Sequence, residues 1–251
     1  MSPLSSSTLF HFTPRLENLL GILTDEFLPH YSLEDYAPVF GGRIAGDAAA
    51  AIPMVCFCDM PLSQAAGHIT SYGRYSIGLT KSWGMAAGVA PVLYTYPDSA
   101  TTAAVIYLHL RIEELQGTVG DGAPFSPQTE RLICFVKPYE GELRRDGHDP
   151  KPVRFYDERE WRFVPARGWR ALTRAEFADA QVRNAANGEL WPALRLSFEP
   201  ADIRYIVVAE EIEIPRMIQE VRRIKTPKFS GDDIALLCSR IVSAEQIAAD
   251  F

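Results

Sequence analysis

The constraint that bears hardest on this chain is the irregular order in which strand-like and helix-like segments follow one another. Tyr75, Ile77 and Leu79 alternate with Ser76, Gly78 and Thr80, the period of a strand with one buried face. Residues 203–209 form a β-branched run, 54–58 a compact apolar one, and 9–12 and 91–96 read as strands as well. Leu16, Leu19, Leu20 and Leu23 recur at helical spacing behind Thr13-Pro14, which reads as an N-cap with proline at the first helical position. Further helices are expected over 62–72, ended by Gly73, over 100–115, over 173–187, closed by Gly188, and over 214–224. Ser243-Ala244-Glu245-Gln246 opens a last helix with the capping-box pattern. Residues 132–136 are expected to form a central strand. Residues 153–156 and 161–164 are expected as strands on either side of the charged turn Asp157-Glu158-Arg159-Glu160. Residues 29–46 have weak periodicity and read as a long covering loop. No βαβ rhythm, repeat or linker emerges, so the reading is α+β, one domain over 1–251, in preference to a doubly wound parallel sheet.

Composition narrows function more than fold. The 251 residues are 47% hydrophobic and 23% charged, which excludes a disordered regulator and a fibrous rod. A net charge of -7 gives no overall attraction to nucleic acid or to an anionic membrane, so any nucleic-acid contact needs a local basic rim. Arg43, Arg74, Lys81, Arg159 and Arg162 are the candidates for it. The longest apolar run, 48–58, is interrupted by Pro53 and is far shorter than the ~18–20 residues that span a bilayer. With no charged n-region before the first apolar segment, the expectation is a soluble cytoplasmic protein.

Several residues invite a chemical role. Cys56 and Cys58 lack the CxxC spacing and second pair of a structural zinc site, so they read as small buried hydrophobes and no metal is expected. Neither GxGxxG nor GxxxxGK[ST] is present, and no GxSxG elbow. His68, in the helix after the 54–58 strand, is either a site residue or a satisfied core histidine. His11 stands in the aromatic run Leu9-Phe10-His11-Phe12-Thr13, where a polar ring must find a hydrogen-bond partner or a cleft. Glu160 opens an aromatic strand with Arg159 and Arg162 beside it, and Glu158 stands two residues earlier. A solvated charged turn explains this pair; so does a pair of carboxylates sharing one strand face, suited to acid–base work or to stabilising a sugar cation.

Leu9-Phe10-His11-Phe12-Thr13 with the helix Leu16-Glu17-Asn18-Leu19-Leu20-Gly21-Ile22-Leu23 resembles the opening of ADP-ribosyltransferase-like proteins of the DarT type. The run Ile52-Pro53-Met54-Val55-Cys56-Phe57-Cys58-Asp59-Met60-Pro61-Leu62-Ser63 resembles the AbiGi family of abortive phage-infection proteins. So do Tyr72-Gly73-Arg74-Tyr75-Ser76-Ile77-Gly78-Leu79 with Trp83-Gly84, and Glu158-Arg159-Glu160-Trp161-Arg162. These resemblances imply a split β-sheet with peripheral helices and a cleft for NAD as substrate. They imply that His11 binds the adenosine-side ribose and that Tyr75 and Ser76 pack by the nicotinamide, with Thr13 in the same cofactor-binding set. His68 is counted with this cofactor-binding set. Glu160 would stabilise the ribosyl cation, and Glu158 would orient an acceptor. The implied function is phage defence by ADP-ribosylation of a macromolecule. A non-catalytic antitoxin or partner of a toxin is the alternative, and a NAD hydrolase the second alternative.

Overall fold

The computed structural model describes residues 5–40, 47–119, 127–143, 151–190 and 194–250. In chain order the elements begin with β1 (Thr8–Thr13), α1 (Leu16–Asp25), β2 (His30–Asp35), α2 (Ala37–Phe40) and β3 (Ala49–Asp59). After a 3-10 turn come α3 (Ala65–Tyr72), β4 (Tyr75–Thr80), α4 (Lys81–Ala86), β5 (Ala90–Pro91), β6 (Leu93–Thr95) and α5 (Ala100–Val119). Next are α6 (Pro127–Cys134), β7 (Val136–Pro138), β8 (Gly141–Leu143), β9 (Lys151–Val153) and β10 (Glu160–Phe163). The chain closes with α7 (Arg174–Ala178), α8 (Ala180–Leu190), β11 (Ile203–Val208), α9 (Ile214–Lys225), α10 (Gly231–Cys238), β12 (Ile241–Ser243) and α11 (Ala244–Asp250). The class is α+β, with mainly antiparallel strand pairing.

By contacts the chain divides into two compact units. The first comprises Met1–Leu28, Cys56–Ala90 and Arg195–Phe251; the second comprises Pro29–Val55 and Pro91–Leu194.

In the first unit the strand order is β12-β11-β4-β1-β3. β1 runs antiparallel to β4 over its whole length, from Thr8 opposite Thr80 to Thr13 opposite Tyr75. β11 is antiparallel to β4 and parallel to β12. The alternation read in 75–80 places Ile77 and Leu79 at zero exposure, against Leu9, Ile203 and Ile206, which are equally buried. The leucine stripe of α1 is realised: Leu16, Leu19 and Leu23 are buried. The opposite face of the sheet packs Val207 with Ala65, Ala244 and Ile247. The capping box of the last helix is present, with Gln246 N–H donating to Ser243 Oγ and Ser243 N–H to Gln246 Oε1. Thr13 takes a different part from the one expected. It is the last residue of β1, Arg15 occupies the N-cap, and the Thr13 hydroxyl accepts from Asn18 Nδ2 at 2.9 Å.

The second unit contains most of the departures from the sequence reading. Residues 29–46 were expected as a covering loop, but β2 pairs antiparallel with β3 from His30 opposite Met54 to Asp35 opposite Ala49, and α2 follows. Residues 41–46 of that segment lie outside the described residues. Its polar composition hid a strand whose buried side chain, Tyr31, packs with Ala51, Leu172 and Leu190. The expected strand over 132–136 is instead the end of α6, with β7 beginning at Val136. A short apolar run fits both states, and here Arg131 on α6, donating to Val164 O at 2.7 Å, anchors the helix. The strand expected over 153–156 stops at Val153, and a 3-10 turn occupies Phe155–Glu158. The helix expected over 173–187 is two helices. Asp179 is extended and its Oδ1 accepts from Gln181 and Val182 N–H, so it caps α8, and Gly188 lies inside that helix.

Candidate functional site

Glu160 and Arg162 stand two apart on β10 and so project to one face. Both are buried, Arg162 completely and Glu160 to 5% exposure. Arg162 Nε donates to Glu160 Oε1 at 2.5 Å and Nη2 to Oε2 at 3.2 Å. Its remaining donors meet Cys134 O at 2.9 Å and Glu34 Oε2 at 3.0 Å. Lys137, from β7, places Nζ 2.7 Å from Glu160 Oε2 and 2.8 Å from Glu158 Oε2, above the Phe155 ring. Glu160 N–H donates to Tyr94 Oη at 2.8 Å.

The electrostatics follow from this geometry. Burial alone pushes the Glu160 carboxyl up, but the Arg162 and Lys137 cations outweigh it and hold the group well below its ordinary value. Lys137 is opposed by its own burial and held protonated by Glu160, Glu158 and Glu34. The Tyr94 hydroxyl is pushed up by burial. Tyr36, buried in the same unit, is pushed up by burial and by Glu34, and its hydroxyl has no hydrogen-bond partner among the described residues. Three carboxylates and two cations leave the cluster with one surplus negative charge.

The structure therefore brings Glu158 and Glu160 together, by a route the sequence did not show. Glu158 ends the 3-10 turn, and Arg159 adopts a left-handed conformation (φ 46°) before β10 starts. The carboxylates meet on Lys137, not through strand alternation. Arg162, expected at a basic rim, is withdrawn from solvent and used by Glu160 and Glu34. Lys81 pairs with Asp59 at 2.7 Å, and Arg74 donates to Ala209 O; Arg43 lies outside the described residues. Lys137, Tyr94, Tyr36 and Glu34 were missed by sequence reasoning. A lysine directly after the apolar run 132–136 was the one local signal available.

His11, Thr13, Tyr75, Ser76 and His68 all belong to the first unit and gather around β1 and β4. Register divides them. Thr13 is opposite Tyr75 and His11 opposite Ile77, whereas Ser76 is opposite Phe12. Directly opposed residues share a face, so His11, Thr13 and Tyr75 lie on one face and Ser76 on the other. His68 is with Ser76's side, its ring 5.9 Å from that of Phe12. The His11 ring is bonded through Nδ1 to Cys56 O at 2.8 Å and sits edge-on to Phe27 and Phe57. Tyr75 Oη donates to Glu213 Oε1 at 3.0 Å, and the buried Ser76 hydroxyl has no partner among the described residues. Among the described residues no three His, Cys, Asp or Glu side chains gather to hold a metal ion, and no helix is long and apolar enough to cross a membrane.

Taken together these features define an α+β protein with a mainly antiparallel sheet and a buried cluster of alternating charge. The family model described as "Putative abortive phage resistance protein AbiGi, antitoxin" matches residues 25–209. The chain belongs to the AbiGi family of abortive phage resistance proteins. It is 26% identical over 227 residues to the abortive phage resistance protein AbiGi of Lactococcus lactis subsp. cremoris, covering 80% of this chain and 89% of that protein. No solved structure matches.

Proposed function

We propose that this chain is the non-catalytic, antitoxin-type component of an abortive-infection pair, acting by binding a toxin. The observation that carries the reading is the state of Glu160. Both of its oxygens are engaged by cations of its own chain, and the carboxylate is held ionised in a nearly closed site. A carboxylate that stabilises a transient sugar cation must face the reacting atoms and be free to respond to the charge as it develops. Here both oxygens are already held by Arg162 and Lys137, which suits an anchor of β10. The AbiGi description as an antitoxin agrees. The test is co-expression with the product of the neighbouring gene. Stable co-purification, with growth restored by wild-type chain and by a His11→Ala/Glu158→Gln variant alike, is the expected result. Toxicity of this chain expressed alone would overturn the reading.

The catalytic reading is second, and what favours it is the convergence of Glu158 and Glu160 on one ammonium group. On that reading the sheet is of the ADP-ribosyltransferase type and NAD is the substrate. Glu160 acts on the ribose, and His11, Thr13 and Tyr75, which share one sheet face, serve the dinucleotide, while Ser76 and His68 on the other face do not. Purified protein incubated with labelled NAD and host lysate would then transfer label to a macromolecule. Nicotinamide release without transfer would indicate a NAD hydrolase. Turnover no greater than that of Glu160→Gln would exclude both.

A further inference from the structure

The first unit contains a cavity of about 600 Å³ that none of the residues discussed so far lines. It lies at the end of α1, where Lys225 of α9 donates from Nζ to Leu23 O at 2.7 Å. Lys225 is 6% exposed, and among the described residues its ammonium has, beyond that one hydrogen bond, only the Phe198 ring, 5.3 Å away. An ammonium group has three N–H donors, so two find no acceptor among the described residues in a side chain that forms part of the cavity wall. Lys228 and Arg195 line the same space, and their side chains have no hydrogen-bonded or ionic partner among the described residues. Burial and the neighbouring Lys228 both push the Lys225 ammonium down, with Glu26 opposing.

Three carboxylates, Glu26, Glu199 and Asp202, line the same cavity. Glu26 Oε2 accepts from Ser197 Oγ at 2.6 Å, while Asp202 and Glu199 serve each other's backbone N–H groups in a capping box. Each retains lone pairs, so they offer acceptors to hydroxyl groups. Phe198 and Phe229 supply aromatic surface, and Phe229 also lines an adjoining cavity of about 250 Å³. Cations with spare donors, carboxylates with spare acceptors and aromatic rings are the complement of a phosphate, a sugar and a flat base. The volume falls in the range of about 300–1,000 Å³ found for small-molecule sites.

We propose that this cavity binds a mononucleotide, with its phosphates on Lys225, Lys228 and Arg195 and its ribose hydroxyls towards Glu26. The inference is independent of whether the chain is catalytic, and it gives the molecule a small-molecule input. The test is isothermal titration of the full-length protein with ADP, with inorganic pyrophosphate and with adenosine. ADP is expected to bind saturably, and pyrophosphate and adenosine each more weakly. Lys228→Gln and Arg195→Gln are changes at exposed positions, so the fold should persist, as circular dichroism will check. Each is expected to weaken ADP binding about tenfold, the scale of one charge-assisted hydrogen bond. No saturable ADP binding at millimolar concentration would overturn the proposal. So would an unchanged affinity in the double variant, and pyrophosphate binding as tightly as ADP would overturn the assignment to a nucleotide.

Discussion

At the scale of single residues, Glu160 is the side chain on which most depends. Replacing it with Gln preserves size but removes the buried carboxylate that joins the two cations, leaving Arg162 only Glu34 and Lys137 only Glu158. Breaking a buried pair from one side costs about 3–5 kcal/mol, so Glu160→Gln should lower the melting temperature by roughly 10 °C for a chain of this size. Calorimetry checks this, and an unchanged transition would show that the cluster contributes nothing net. The pH dependence has a definite sign. The native carboxyl lies well below the ordinary 4.5, so as pH falls the unfolded chain takes up the proton first. Stability from this group is complete above 4.5 and is lost progressively as pH drops towards the native value. The urea midpoint should therefore fall steeply below about pH 4.5 in the wild type. It should fall less in Glu160→Gln, and equal slopes would place the acid sensitivity elsewhere. Sequence showed Glu160 as an outlier because a carboxylate in an aromatic strand breaks local pattern. It could not show Lys137, Tyr94 or Glu34, whose positions relative to β10 are set by folding across many intervening residues. Arg162 was legible as a cation and illegible as a buried one.

Among the elements, those read correctly are the ones whose own pattern meets the environment that the pattern demands. α1 repeats its leucines and buries them, and α11 opens on its capping box; β4 is the strand its alternation predicts, but with Ser76 and Gly78 buried as well as Ile77 and Leu79 it is covered on both faces. The elements misread obtain their state from a distant partner. β2 is polar on its own and becomes a strand by pairing with β3, and the run at 132–136 is divided between α6 and β7. One junction that sequence placed well is Gly73, where α3 ends before β4. Its φ is +125°, and a Cβ there would stand 2.6 Å from Pro14 Cα and closer still to the Thr13 carbonyl oxygen. Backbone on both sides of that contact has little room to yield. Gly73→Ala is expected to cost about 2–4 kcal/mol through strain and overlap together. Chemical denaturation measures it, and a wild-type midpoint would mean that α3 and β1 separate more readily than their packing implies.

Over the whole molecule, the boundaries of sequence likeness and of folded structure do not coincide. The family match runs over residues 25–209, but β1 lies between β3 and β4 in the first unit, and β12 extends the same sheet beside β11. A fragment confined to 25–209 would lose both strands together with the buried Leu9, Leu19, Val221 and Leu237. It is expected to show no cooperative unfolding transition by circular dichroism, and a sharp transition would show that the terminal segments are dispensable to the fold.

The three-part make-up of the first unit also has a consequence in time. On the ribosome, β4 emerges about 120 residues ahead of the strand that will cover its free edge, and at about 5–20 residues per second that interval is on the order of ten seconds. Throughout it the nascent chain displays Ile77 and Leu79 beside unpaired backbone, the condition in which strands join the wrong neighbour. Newly made protein is thus most exposed to aggregation or to holding by a chaperone before β11 is synthesised, and its supply in the cell depends on translation reaching the C-terminal segment.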